Sequence, residues 1–147
     1  MYNKILVPTD GSECAEKAAG HALEIAEKFD AEIHTLYVVD GSEFHDREFW
    51  DELMRSFKEN GKEATGEVAS KARNRGLDVT IETLIGVPHE NIVQYSKDHD
   101  IDLVVMGTHG GTGLERTLMG SVTEKVVRTS EVPVLTVSAT EEKDGNQ

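Results

Sequence analysis

Five short apolar runs punctuate the chain, and longer stretches of mixed polarity separate them. The runs are Ile5 to Val7, ended by Pro8, then Ile33 to Val39, Val79 to Ile85, Leu103 to Met106, and Val134 to Val137 after Pro133. Continuous apolar runs of this length mark strands buried on both faces. Val79 to Ile85 (VTIETLI) alternates more than the others, which puts it nearer a sheet edge.

Between the runs, apolar residues return every three or four positions, the period of an amphipathic helix. Ala15, Ala18, Ala19, Ala22, Ala26 and Phe29 form one stripe, and Asp10 with Glu13 resembles a capping pair at its start. A longer stripe comprises Trp50, Leu53, Met54, Phe57, Ala64, Val68 and Ala72. Gly61 and Gly66 interrupt it, each costing up to about 1 kcal/mol relative to Ala, and are expected to mark a bend. Gly76 supplies a stop. A third helix opens at Pro88, a residue suited to the first turn, and runs to about His99. A fourth begins near Ser121 with Val122, Val126 and Val127, and Ser121-Val-Thr-Glu124 reads as a capping box.

The resulting order, β-α-β-α-β-α-β-α-β, predicts an α/β fold: an open parallel sheet with helices on both faces. Right-handed crossovers leave few topologies for it. At 147 residues one domain is expected, over 1–140, with a polar, disordered tail over 141–147. Gly41 to Asn60 holds four of the eight aromatic residues, Phe44, Phe49, Trp50 and Phe57, which either pack a helix on the core or form a lid or partner surface.

Charge narrows the function classes. Twenty-eight acidic and 15 basic side chains leave a formal net charge of −13. Nucleic acid and anionic membrane surfaces both require a positive face, so neither is expected as a partner. A lone cysteine, Cys14, excludes a disulfide framework and suits a reducing cytoplasm. No apolar run approaches 18 residues, and the N-terminus lacks the features of a signal peptide. The six histidines show no metal-ligand spacing.

The stretch richest in chemistry is Gly107 to Glu124 (GTHGGTGLERTLMGSVTE), which contains five of the 13 glycines and joins a strand to a helix. Glycines allow a ligand close to the backbone, and a helix N-terminus offers free N–H groups with partial positive charge. Together they make a phosphate cradle that needs no lysine. The stretch is neither a P-loop, for no Gly-Lys-Ser/Thr occurs, nor a GxGxxG after the first strand, where the chain reads PTDGS instead. In an open parallel sheet, ligands bind where the strand order reverses. With order 3-2-1-4-5 the reversal falls between strands 1 and 4, so Pro8 to Ser12 would face Gly107 to Gly120, with Val39-Asp40 bordering the crevice.

Three segments, KILVPTDGS (Lys4 to Ser12), DLVVMGTHG (Asp102 to Gly110) and GSVTEKVVRTSEVPVLTV (Gly120 to Val137), resemble the universal stress protein family. The spacing Gly107-x2-Gly110-x9-Gly120-Ser121 is similar to the signature of its ATP-binding subclass, and the resemblance spans about residues 2–137. It implies a Rossmann-like sheet of order 3-2-1-4-5, of the adenine nucleotide alpha hydrolase-like type. It also implies a set of contacts. Pro8, Thr9 and Asp10 would border adenine and ribose, and the Val39 backbone would read the adenine edge. Met106 and Gly107 would floor the base and ribose, and Gly110, Gly120, Ser121 and Val122 would hold phosphates. Thr123 and His109 are weaker candidates for the same site. ATP, or AMP or ADP in its place, is the nucleotide implied, and a Mg2+ or Mn2+ ion would accompany the triphosphate. A homodimer through Val134 to Val137 is implied as well. The function expected is that of an ATP-binding, cytoplasmic regulatory protein of the stress response. A slow ATPase or self-phosphorylating protein, and a nucleotide-independent interaction module, are the alternatives.

Overall fold

The computed structural model describes residues 1–41, 49–109 and 119–139. Nine elements follow one another in strict alternation: β1 (Lys4–Pro8), α1 (Glu13–Phe29), β2 (Glu32–Asp40), α2 (Trp50–Asn74), β3 (Val79–Gly86), α3 (Pro88–Asp98), β4 (Leu103–Gly107), α4 (Ser121–Thr129) and β5 (Val134–Val137). The five strands form one parallel sheet in the order β3-β2-β1-β4-β5. The expected α/β class and order are therefore those observed. β1 and β4 lie at the centre and bury every residue from Ile5 to Pro8 and from Leu103 to Gly107, which is why these runs are continuous and apolar. β3 is an edge strand, as its alternation suggested.

Alternate residues of each strand feed two cores. Ile5, Val7, Ile33, Leu103 and Val105 meet the alanine face of α1 together with Val68 and Ala72 of α2. Leu6, Leu36, Val104 and Met106 meet Ile92 and Tyr95 of α3 and Val126 of α4. The alanines let α1 lie close to the sheet: Ala18, Ala22 and Ala26 have no exposed surface.

Several local expectations need correction. Ser12, not Asp10, caps α1: its hydroxyl accepts from Ala15 N at 3.2 Å. Asp10 lies too early and instead closes a turn by accepting from Ser12 N at 3.0 Å. Phe29, on the last turn of α1, is 43% exposed and meets Tyr2 edge to face rather than the core. α2 runs through Gly61 and Gly66 as one 25-residue helix. A Cβ at Gly61 would lie 2.6 Å from the Tyr37 ring, so its glycine serves close approach of helix to sheet. Gly76, with φ +75°, follows the end of α2 as expected.

Residues 42–48, including Phe44, and the expected tail 141–147 lie outside the described residues. Of the remaining aromatics in that region, Phe49 and Trp50 are 51% and 38% exposed, whereas Phe57 packs against Tyr37, Val39 and Ala64. The core-packing expectation thus holds for Phe57 and not for the first turn of α2.

Candidate functional site

The carboxyl ends of the strands open into a cavity of about 410 Å³. It lies where the strand order reverses, between β1 and β4. Its wall is built from four places distant in sequence.

The first is the turn after β1. Thr9 N donates to Leu36 O at 2.9 Å, holding the end of β1 beside β2. The buried Thr9 hydroxyl accepts from Gly11 N at 3.1 Å, and Gly11 takes φ +82°, a conformation that favours glycine. This tight turn presents Pro8, Thr9 and the exposed Asp10 to the cavity. The second place is the end of β2, where Val38, Val39 and Asp40 form one side. The third is the end of β4. Met106 and Gly107 line the base of the cavity, and His109 follows. A Cβ on Gly107 would come within 2.7 Å of Cys14 Sγ and 3.0 Å of the Cys14 carbonyl carbon. Glycine is thus demanded there by the packing of α1.

The fourth place is the start of α4. Gly120 N donates to Thr108 O at 2.7 Å, which pins the start of α4 beside the end of β4. Gly120 is the N-cap, with extended φ −64° and ψ 154°, and among the described residues no side chain caps this helix. The expectation that Ser121 caps it fails, because Ser121 is already the first helical residue. The first helical hydrogen bond runs from Glu124 N to Gly120 O at 2.9 Å. The amides of Ser121, Val122 and Thr123 precede it, and these residues line the cavity. The Thr123 hydroxyl is already engaged, donating to Gly107 O at 2.8 Å and tying α4 to β4.

Of the twelve residues singled out in the sequence, eleven line this one cavity: Pro8, Thr9, Asp10, Val39, Met106, Gly107, His109, Gly120, Ser121, Val122 and Thr123. Gly110 lies outside the described residues. Sequence reasoning missed Phe57 of α2 and Pro88 and Ile92 of α3, which close the side beyond β2. Phe57 stood out only as part of an aromatic cluster, and nothing local in α3 separates a cavity-facing Ile from a core one.

The electrostatics are divided. Asp10 and Asp40 bring carboxylates to the β1–β2 side, and no Lys or Arg of the described residues lines the cavity. The positive pole opposite them is the dipole of α4. His109 holds Nδ1 3.1 Å from the Thr108 hydroxyl, while its Nε2 is shielded from solvent without a hydrogen-bond partner among the described residues. A cavity with an amide-lined pole on one side and carboxylates on the other suits a ligand with an anionic end and a hydroxylated end.

The universal stress protein family model matches residues 1–138. The chain belongs to the universal stress protein family. It is similar to universal stress protein MJ0531 of Methanocaldococcus jannaschii, with 44% identity covering 93% of this chain and 82% of the relative. The solved structure of MJ0577 from the same organism superposes with a TM-score of 0.84 at 37% identity, covering 99% of both chains. UspA from Lactobacillus plantarum superposes at 0.81 with 30% identity, over 92% of this chain and 97% of the other. More distant family structures, at 22–24% identity, share the fold and were solved with cAMP, with dAMP (from Archaeoglobus fulgidus) and with AMP (from Arabidopsis thaliana). Within this universal stress protein, no described helix is long and apolar enough to cross a membrane.

Proposed function

We propose that this universal stress protein binds ATP in the cavity at the β1–β4 switch point, and that occupancy controls its interactions with a partner protein. The observation that carries this is the N-terminus of α4, which no described side chain caps and whose first residues, Ser121, Val122 and Thr123, line a cavity between the two central strands. Adenine nucleotides bound to other proteins of this fold support it.

In this assignment the triphosphate meets the amides from Gly120 to Thr123 and the Ser121 hydroxyl. The adenine lies between Val39 and Met106, and Asp10 accepts a hydrogen bond from the ribose. Pro8 and Thr9 shape the rim beside it, Gly107 forms the floor, and His109 Nε2 donates to phosphate. Thr123 contributes its amide alone, because its hydroxyl is committed to Gly107 O.

The residues fit a nucleotide accompanied by a divalent cation. With only a helix dipole to offset phosphate charge, and with Asp10 and Asp40 in the opposite wall, Mg2+ or Mn2+ held by phosphate oxygens supplies the missing positive charge. Calorimetric titration with ATP tests this, and affinity is expected to fall at least tenfold when a chelator removes the metal. No heat at millimolar MgATP defeats the proposal. Nucleotide released by heating purified protein and read at 260 nm is an independent check.

The partner surface includes a second copy of the chain. β5 is an edge strand whose Leu135 is exposed, and pairing along it gives a two-fold homodimer. Sedimentation is expected to give twice the 16.2 kDa chain mass in this cytoplasmic protein.

A further inference from the structure

At the end of the sheet away from the cavity, a buried histidine joins β2 to α3. His34 follows Glu32 by two residues on β2, so both side chains leave the same face of the sheet. The His34 side chain is 5% exposed, while that of Glu32 is 35% exposed and opens the cluster to solvent. His34 Nδ1 lies 2.7 Å from the hydroxyl of Tyr95, a buried residue of α3. Nε2 lies 2.8 Å from Glu32 Oε2, off the axis of an ideal N–H bond. His99, at the end of α3, stacks on Tyr95 with ring centres 3.8 Å apart and stands 5.8 Å from the His34 ring.

The neighbours determine where the proton sits. A carboxylate can only accept, so a lone pair on Nε2 would face another lone pair at 2.8 Å. The proton therefore belongs on Nε2, toward Glu32, and Nδ1 accepts from the Tyr95 hydroxyl. Burial pushes the Tyr95 phenol up to about 12, helped by Glu82 and Glu32, so it stays a neutral donor. Burial also holds the His34 imidazole below its ordinary 6.5, although Glu32 pulls the other way; His99 and Lys4 add to the lowering. The charged and titratable groups around the ring are thus Glu32 on its own strand, Lys4 on β1, Glu82 on β3, and Tyr95 and His99 on the α3 side.

We infer that Glu32, His34 and Tyr95 form an acid-released latch that holds α3 on the sheet and thereby sets the wall of the nucleotide cavity. At neutral pH the Tyr95 hydroxyl donates inward and anchors α3. Protonation places a second N–H on Nδ1, so the Tyr95 hydroxyl can only accept there and must turn its hydrogen away, while the ring brings a charge into a buried site; that cost loosens the hold on α3. Ile92, one turn before Tyr95 on the same helix, lines the cavity, so movement of α3 reaches the site directly. The neutral ring is the form that folding favours. Its contribution is complete above 6.5 and declines as pH falls through 6.5 toward the lower folded-state value.

The latch is tested on the intact protein by NMR and amide hydrogen exchange between pH 5 and 8, corrected for intrinsic exchange rates. The His34 ring is expected to carry its proton on Nε2 and to titrate below 6.5. As it titrates, protection at Tyr95 and Ser96 should fall about tenfold relative to Val104 and Val105 of β4. His34→Gln should remove this relative loss, and Tyr95→Phe should show low α3 protection already at neutral pH. Protection of α3 that follows β4 at every pH, or the same acid-dependent loss in His34→Gln, overturns the latch.

The link to the cavity rests on the nucleotide assignment and is read separately. MgATP affinity should weaken about threefold more on acidification in the wild type than in His34→Gln. Equal weakening in both overturns the link. Absence of binding by the wild type at neutral pH overturns the nucleotide assignment, with exchange still deciding the latch.

Discussion

The two ends of the sheet treat their polar groups in opposite ways. At the amino end of the strands, groups answer one another: Asp102 Oδ2 accepts from Asn3 N at 2.8 Å and Lys4 N at 2.9 Å, and Lys4 Nζ reaches His99 O at 3.4 Å. His34 is held there between Glu32 and Tyr95. At the carboxyl end, the first amides of α4 have no capping side chain among the described residues, and the ends of β1 and β4 border a cavity. Native proteins satisfy their buried polar groups, so a cluster left open where strands end is where a ligand belongs. The closed end holds the fold together, and the open end is available for binding.

This contrast can be broken from either side. The largest effect is expected where the open end is also packed. Gly107→Val drives a side chain into Cys14, including its backbone, and should cost about 3 kcal/mol in urea denaturation. At the closed end, Asp102→Ala removes the charged acceptor of the part-buried Lys4 amide and of the exposed Asn3 amide and should cost about 1.5 kcal/mol, with MgATP affinity unchanged within error. A loss of affinity in that variant would show that the Asp102 contacts, and not the His34 cluster alone, reach the cavity. Gly120→Val should do the reverse: affinity falls about tenfold, or about 1.4 kcal/mol, by calorimetry, while stability changes by less than about 1 kcal/mol. Ser121→Ala should be smallest, about threefold in affinity, since the amides remain and only one hydroxyl is lost.

Much of the architecture was legible in the chain. Strands buried on both faces must be apolar throughout, and Ile5 to Val7 and Leu103 to Met106 announce themselves for that reason. The alanine stripe of α1 was equally plain, up to its last member. Phe29 has the right period but sits on the final turn, beyond the reach of the sheet. The packing need for Gly61 could not be read locally, because helix propensity is a local quantity, whereas the ring of Tyr37 that requires it comes from β2. The capping assignments of Asp10 and Ser121 failed by one or two residues, the scale on which a helix start depends on the loop entering it.

The candidate site divides along the same line. Its glycine spacing and the PTDG turn are local signals, and the family resemblance they carry named eleven residues that line the cavity. Phe57, Pro88 and Ile92 could not, because their places on the wall follow from how α2 and α3 cross the sheet.

By itself the sequence determined the alternation of elements, the parallel sheet, the family and the glycine-rich turn, since each is written in periodicity or in spacing along the chain. Only the tertiary structure decided which glycine answers a ring or a cysteine, which carboxylates share the cavity with the α4 dipole, and that Glu32, His34, Tyr95 and His99 meet. Those are properties of distance and burial between residues up to dozens of positions apart, and they exist only once the sheet and its helices have packed.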